Sequence, residues 1–208
     1  MIEKYVTLPF FTNTYVLSKG DDCIVIDPSL NFKDKALEII DKYNVKAVFL
    51  THAHIDHIDG IQWFKEYPIY ITKEEYNYIH NNSYNLYSFF QNSKIFNLND
   101  YNFNLLYEGD KVPLLDSDIE VIITPGHTLG GACYRYKNML FTGDTLFKES
   151  IGRTDFPGGD ESSILRSVKR IIEEYPDNTI LYPGHDEKTT IRDERKNNLY
   201  YKEAKKRF

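Results

Sequence analysis

THAHIDH, residues 51–57, follows directly on the apolar, strand-like run VKAVFL at 45–50 and packs His52, His54, Asp56 and His57 into six positions. Side chains alternate along an extended segment, so His52 and His54 point the same way and one metal ion can take both. Asp56 and His57 fall where the chain turns into a helix expected to begin near Ile58, which aims them at a neighbouring position and a second ion. Three imidazoles and a carboxylate buried together without an ion would be costly, so the stretch points to a metal site.

Working outward, the same grammar recurs. Pro125-Gly126-His127 follows VIIT, Gly143-Asp144 follows MLFT, and Pro183-Gly184-His185 follows TILY. In each case an apolar strand ends, a glycine permits a sharp turn, and a ligand-type residue comes next. Strands ending on one edge of a sheet would bring these ligands together. Five of the six histidines fall in this scheme; His80, before Asn81-Asn82, is expected to be a solvated surface residue.

Strand-like runs are expected at 4–8, 14–17 and 23–26, the last ending at the turn signal Asp27-Pro28. Residues 32–43 read as a helix with Ala36, Leu37, Ile39, Ile40 and Tyr43 largely on one side. The section 73–107 is crowded with tyrosine, phenylalanine and asparagine, and it reads either as a flap over a pocket or as an aromatic-rich helical hairpin packed on the body. Strand patterns return at 119–123, 132–136 and 139–141. A helix is expected at 160–175, with Asp160 as N-cap and Ile164, Leu165, Val168, Ile171 and Ile172 at amphipathic spacing. A last strand is expected at 179–182. Two strand-rich halves, each supplying helices, suggest an α/β (α+β) arrangement of paired sheets with helices outside.

At 208 residues, with no repeat or linker, the chain is expected to form a single domain over 1–208. Its net charge of −6 offers no general attraction to nucleic acid or to an anionic membrane. Neither a secretory signal nor a long apolar run is present, so a cytoplasmic location is expected. Cys23 and Cys133 lack metal or redox spacing and are expected to be buried free thiols.

The order HxHxDH, His127, Asp144, His185 resembles the metallo-β-lactamase superfamily, and the likeness runs from Asn13-Thr14 and Asp27-Pro28 through His185. It implies a four-layer αββα sandwich of two mixed β-sheets, with helices on the outer faces and a metal site at one edge. It also implies one ion bound by His52, His54 and His127, a second by Asp56, His57 and His185, and Asp144 bridging both. Flavodiiron relatives carry glutamate where His54 stands, and the best-known zinc β-lactamases carry cysteine where Asp144 stands. Nuclease branches add a nucleic-acid-binding arm or a second domain, which an acidic chain of this length does not supply.

The run TLFKESIGRTDFPGGD after Asp144 resembles the glyoxalase II-like and persulfide dioxygenase branches, implying thiol-derived substrates. Arg153 stands where relatives place a basic residue near the substrate's carboxylate; equally, it can pair with Asp155 and pin the loop. Full-length glyoxalase II enzymes add a helical domain that helps bind glutathione, and they favour Glu-Tyr where this chain reads Asp186-Glu187. The resemblance extends to the short, single-domain glyoxalase II-like (hydroxyacylglutathione hydrolase-like) hydrolases, which share Thr189, Glu194 and Asn197. Asn198 replaces the proline usual there.

What the resemblance implies is a metal-dependent hydrolase: a thioesterase cleaving a small-molecule acyl-thiol such as S-lactoylglutathione. Two divalent ions, zinc first, with iron or manganese as alternatives, would share a bridging hydroxide as nucleophile. Asp56 would orient that nucleophile and accept its proton. The alternatives are a persulfide dioxygenase with one iron held by His52, His54 and Asp144 or a similar facial set, and a lactonase of the same superfamily.

Overall fold

Apolar side chains alternate along the central strands, and the alternation places a core on both faces of each sheet. The computed structural model describes residues 1–90 and 97–208. One six-stranded sheet runs in the order β1 (Ile2–Thr7), β2 (Thr12–Lys19), β3 (Asp22–Ile26), β4 (Asn44–Phe49), β5 (Pro68–Thr72), β6 (Asn102–Leu106). Its first three strands form an antiparallel meander, and β3 through β6 run parallel. The second sheet is built from β7 (Lys111–Leu114), β8 (Ser117–Ile123), β9 (Ala132–Tyr136), β10 (Met139–Gly143), β13 (Ile180–Pro183) and β14 (Thr189–Thr190), ordered β14-β13-β10-β9-β8-β7. There β10 and β13 are parallel and the other pairs antiparallel. A short ribbon, β11 (Leu146–Phe147) with β12 (Ser150–Ile151), follows Asp144.

Along β4, Val48 enters one core while Ala47 and Phe49 enter another, as period-two alternation requires, and Val45 joins Val48 because the β3–β4 register shifts between it and Ala47. The first core lies between the first sheet and α1 (Lys33–Lys42), which contributes Ala36 and Ile39. The second lies between the sheets. The third joins Ile122, Cys133, Leu140 and Leu181 of the second sheet to α4 (Glu161–Glu174), α5 (Ile191–Asn197) and α6 (Leu199–Arg207). Three cores between four layers make the αββα sandwich of two mixed sheets that the sequence implies.

The middle core is aromatic, and its hydroxyls reach the strand ends. Phe49 stacks on Tyr70 at 4.8 Å and meets Tyr134 edge-on at 5.0 Å. Tyr134 donates its hydroxyl to the Leu50 carbonyl at 2.6 Å, and Tyr15 donates to the Pro183 carbonyl at 2.7 Å. Each carbonyl immediately precedes a histidine-bearing turn. Two further bonds stitch the sheets there, from Ala132 N to Thr51 O at 2.9 Å and from Asn13 N to Gly184 O at 2.7 Å.

Several expectations need correction. The helix expected near Ile58 begins a turn earlier, as α2 (Ile55–Ile58), so Asp56 and His57 ride on it. The section 73–107 contains α3 (Lys73–Tyr78), 3-10 turns and the edge strand β6; its residues 91–96 lie outside the described residues. In β6, NFNLL, asparagines alternate with apolar residues, and asparagine is a poor strand former. Leu37, expected on the apolar face of α1, is 51 % exposed, whereas Ile39 is buried.

Other expectations hold. Asp160 caps α4 by accepting from Ser163 N at 2.7 Å. Cys23 and Cys133 are buried free thiols. Among the described residues no helix is long and apolar enough to cross a membrane.

Asn198 does what a proline there could not. Its side-chain oxygen caps α6 by accepting from Tyr200 N and Tyr201 N, while its amide donates to Ser150 O and to Glu194 Oε2. Glu194 also accepts from Thr189 Oγ1 at 2.7 Å and from Glu149 N at 2.8 Å, so the shared Thr189 and Glu194 pattern ties the last helices to the loop beyond Asp144.

The phase of α1 can be tested directly. Ile39→Ala is expected to cost about 2–5 kcal/mol in urea denaturation. Leu37→Ala, on the same helix, should stay within about 0.5 kcal/mol of the parent.

Candidate metal centre

Four strand ends deliver the seven predicted ligands to one edge of the sandwich. His52 and His54 leave the end of β4, and Asp56 and His57 sit on α2. His127 follows β8, Asp144 follows β10, and His185 follows β13. Two glycines are demanded by the crowding. A Cβ on Gly184 would lie 2.2 Å from Asp144 Oδ1, and Gly143, at φ +48°, would meet Thr51 Oγ1 at 2.5 Å.

The structure gathers these residues into three overlapping groups: His52, His54 and His127; His52, His57 and Asp144; and Asp56, His57 and His185. Within each group the facing ligand atoms lie within 4.8 Å of one another. His54 Nδ1 faces His127 Nε2 at 2.9 Å. Asp144 looks both ways, with Oδ1 3.4 Å from His57 Nε2 and Oδ2 3.5 Å and 3.4 Å from the Nε2 atoms of His127 and His185. Asp56 Oδ2 lies 3.5 Å from His57 Nε2 and 3.3 Å from His185 Nε2. His80 is exposed and stands apart from the cluster.

The tautomers follow from what stands behind each ring. His127 Nδ1 faces the Arg153 carbonyl at 2.7 Å, and His185 Nδ1 faces the Phe10 carbonyl at 3.1 Å. A carbonyl only accepts, so both Nδ1 atoms carry protons and both Nε2 atoms turn to the cluster. His57 Nδ1 likewise donates to Asp27 Oδ2 at 2.9 Å. Thr51 Oγ1 gives its proton to Asp27 Oδ2 at 2.7 Å and so accepts from His52 Nδ1 at 3.1 Å. Carboxylates and carbonyls behind ligand imidazoles fix ring orientation and raise ligand basicity.

The donor set fits divalent ions. His52 Nε2, His54 Nε2 and Asp144 Oδ1 are buried without a hydrogen-bond partner, a costly state for groups that only a partner can satisfy. Burial, reinforced by neighbouring imidazoles, holds His52 and His54 well below the ordinary histidine range, which keeps their lone pairs free. Burial would also lower His57 and His185, but Asp56 and Asp144 outweigh it and push them up to about 9 and about 11. Burial would raise Asp144, yet His185 and His57 hold it well below the carboxylate range. The two carboxylates thus call for positive charge in the space between the rings, which a divalent ion supplies.

Three supporting residues escaped the sequence reading. Asp27 registered as a turn signal and as part of the resemblance, with no role at the site assigned to it, although it ends an apolar strand as Asp144 does. Thr12 donates to Asp56 Oδ2 at 2.8 Å. Glu75, fully buried on α3, accepts from Ala53 N at 2.7 Å, from Gly130 N at 2.8 Å and from the Tyr84 hydroxyl at 2.8 Å. It clamps the His52–His54 turn to the loop after His127, and burial pushes its carboxyl up. Thr72-x-x-Glu75 has the capping-box spacing, and Thr72 does cap α3, but the Glu75 side chain turns inward.

Arg153 lies on the wall of a cavity of about 450 Å³ that opens over the cluster. Its guanidinium pairs with both oxygens of Asp155 at 2.6 Å and covers the Phe156 ring at 3.9 Å.

A family model for the metallo-β-lactamase superfamily matches residues 7–185. The chain belongs to that superfamily. An uncharacterized protein of Aquifex aeolicus is 34 % identical over 203 residues, covering 94 % of each chain. The probable metallo-hydrolase YqgX of Bacillus subtilis is 30 % identical over 205 residues, covering 92 % of this chain and 93 % of its own. Among solved structures, the BLEG-1 B3 metallo-β-lactamase superposes with a TM-score of 0.85 at 29 % identity, over 96 % of this chain and 99 % of its own. ETHE1 from Myxococcus xanthus gives 0.75 at 26 % identity, over 96 % and 83 %. A protein solved in a di-iron-bound form gives 0.79 at 25 % identity, over 95 % and 99 %. The protein is thus a metal-dependent hydrolase of the metallo-β-lactamase superfamily, and the fold implies divalent metal ions at the histidine and aspartate cluster.

The carboxylate behind His57 provides a test. Asp27→Asn is expected to weaken metal binding by about 10- to 100-fold, read by competition with a chromophoric chelator.

Proposed function

We propose that this superfamily member is a binuclear thioesterase of the short glyoxalase II-like kind, cleaving a small-molecule acyl-thiol in the cytoplasm. What carries the proposal is Asp144, whose Oδ2 faces His127 of the first ligand set and His185 of the second while its Oδ1 faces His57, a disposition suited to a bridge between two ions. The GRTDF run supports the thiol-derived substrate. It lies against the cluster: a Cβ on Gly152 would meet the Asp144 carbonyl at 1.8 Å, and the Arg153 carbonyl accepts from His127.

His52, His54 and His127 would hold one ion, Asp56, His57 and His185 the other, and Asp144 both, with zinc favoured and iron or manganese compatible with the same donors. When bound, such a pair supplies Lewis acidity and lowers the pKa of an attending water towards about 7. Asp56, steadied at Oδ2 by Thr12, orients the attacking water and accepts its proton at a carboxylate oxygen. The apolar cavity walls lower the polarity around a bound thioester carbonyl, which strengthens the charge interactions there. No nucleic acid or membrane enters this reading.

A hydrolysis panel of thioester, lactone, phosphodiester and β-lactam, run separately with zinc, manganese and iron, tests it. Thioester cleavage should lead, and a lactone preference would move the assignment to another branch. His54→Ala should lose both metal and cleavage; cleavage by metal-free protein would refute the mechanism. The shared GRTDF run also supports a second reading, a mononuclear-iron persulfide dioxygenase. One iron per chain with oxygen uptake on glutathione persulfide would decide for it.

A further inference from the structure

The cavity over the cluster has walls that thioester cleavage alone does not require. Phe10, Leu86, Phe90, Phe147, Ile151 and Phe156 line it, alongside the cluster residues, Ser150 and Arg153. The rings brace one another. Phe10 meets Phe90 edge-on at 4.9 Å, and Phe89 meets Phe156 at 5.8 Å. Phe156 stands edge-on to His54 at 6.0 Å, and Phe147 stands edge-on to His185 at 5.8 Å. Aromatic surface therefore flanks the cluster on both sides, beside a residue of each proposed ligand set.

Among the described residues, the one cation that lines this wall is already engaged. Arg153 is held in a two-pronged pair by Asp155 and lies over the Phe156 ring. Lys148, next to Phe147, pairs with Glu187 at 3.1 Å. Asp155 occupies the Nε and Nη2 edge of Arg153 and neutralises its charge, so a substrate carboxylate would be left the Nη1 side, with the Asp155 carboxylate beside it. An anionic arm would thus lie against apolar rings with no unpaired cation among the described lining residues to receive it. An apolar arm gains from every ring it covers.

We infer that the cavity selects an uncharged thioester bearing an aromatic or branched apolar group, and that the Arg153–Asp155 pair sets specificity by keeping the cation from an anionic substrate. The inference rests on the thioesterase reading and narrows its substrate class. Arg153 then serves binding as the flank of an apolar wall.

The test uses the zinc-loaded protein with N-acetylcysteamine thioesters, whose thiol arm is uncharged. The kcat/KM for phenylacetyl is expected to exceed that for acetyl by roughly 10- to 100-fold, the range that apolar pocket contacts provide. It should also exceed those for succinyl and for S-lactoylglutathione. Phe156→Ala should shrink the phenylacetyl-to-acetyl ratio about tenfold. Asp155→Asn, an exposed substitution, should raise succinyl relative to phenylacetyl. Equal rates on acetyl and phenylacetyl, a preference of the parent for succinyl or S-lactoylglutathione, or an unmoved ratio in Asp155→Asn would overturn the inference.

Calorimetry with the uncleavable phenethyl and methyl thioethers of N-acetylcysteamine separates the two levels. Tighter phenethyl binding without cleavage of any thioester would refute the thioesterase and leave the cavity assignment standing. Thioester cleavage with equal binding of the two thioethers would do the reverse.

Discussion

The carboxylate of Asp27 is the interaction on which the rest of the edge depends. One oxygen accepts from Thr51 N at 2.8 Å, and the other accepts from Thr51 Oγ1 and His57 Nδ1. Three separate pieces of chain, the end of β3, the end of β4 and α2, are thereby held at one buried point. Thr51 passes the constraint on. Its carbonyl accepts from Ala132 N across the sandwich, and its side chain lies so close to Gly143 that no other residue fits before Asp144. An ionised group buried this deeply is tolerable only because donors surround its oxygens. Removing a donor leaves the charge and the ligand ring uncompensated together.

That arrangement explains why the ligands meet at an edge and not within a face. Inside the sheets the ladders pair the backbone of the central strands, and their buried apolar side chains are committed to one of three cores. At the strand ends the ladder stops and carbonyls such as those of Leu50 and Pro183 need new donors. Tyr134 and Tyr15 supply them from the middle core, so aromatic packing between the sheets fixes the points from which the histidines depart. The apolar interior and the polar edge are one construction.

Most of this edge was legible in the sequence because its signals are local. An apolar run, a glycine and a ligand-type residue can be read within about six positions, and HxHxDH carries its own density. Asp27, Thr12 and Glu75 were not legible in the same way, because their partners lie 24, 44 and 22 residues away and no local pattern records such pairing. The same holds for β6, whose partner β5 supplies what its asparagines lack in strand preference. The early start of α2 reflects a further non-local bond, Ile55 N to Asn85 O at 2.9 Å, which anchors the turn where the sequence alone suggests a loop. The Arg153–Asp155 pair was readable as one of two options, and only the placement of Phe156 beneath the guanidinium shows how the pair sits on the cavity wall.

Residue 153 also joins the chemistry of the edge to the shape of the cavity. Its carbonyl fixes the tautomer of His127, while its side chain lies along the cavity wall against Phe156. These roles belong to different atoms, so a side-chain change can alter the wall while the carbonyl keeps its place. Gly152 makes the separation workable. With no Cβ, it lets the backbone approach the Asp144 carbonyl and the His127 ring at once, so the loop is positioned by main-chain contacts. The wall can then vary in chemistry, as binding surfaces carried on loops above a rigid scaffold do. The His127 ring remains fixed by a main-chain carbonyl, an atom that every residue type possesses.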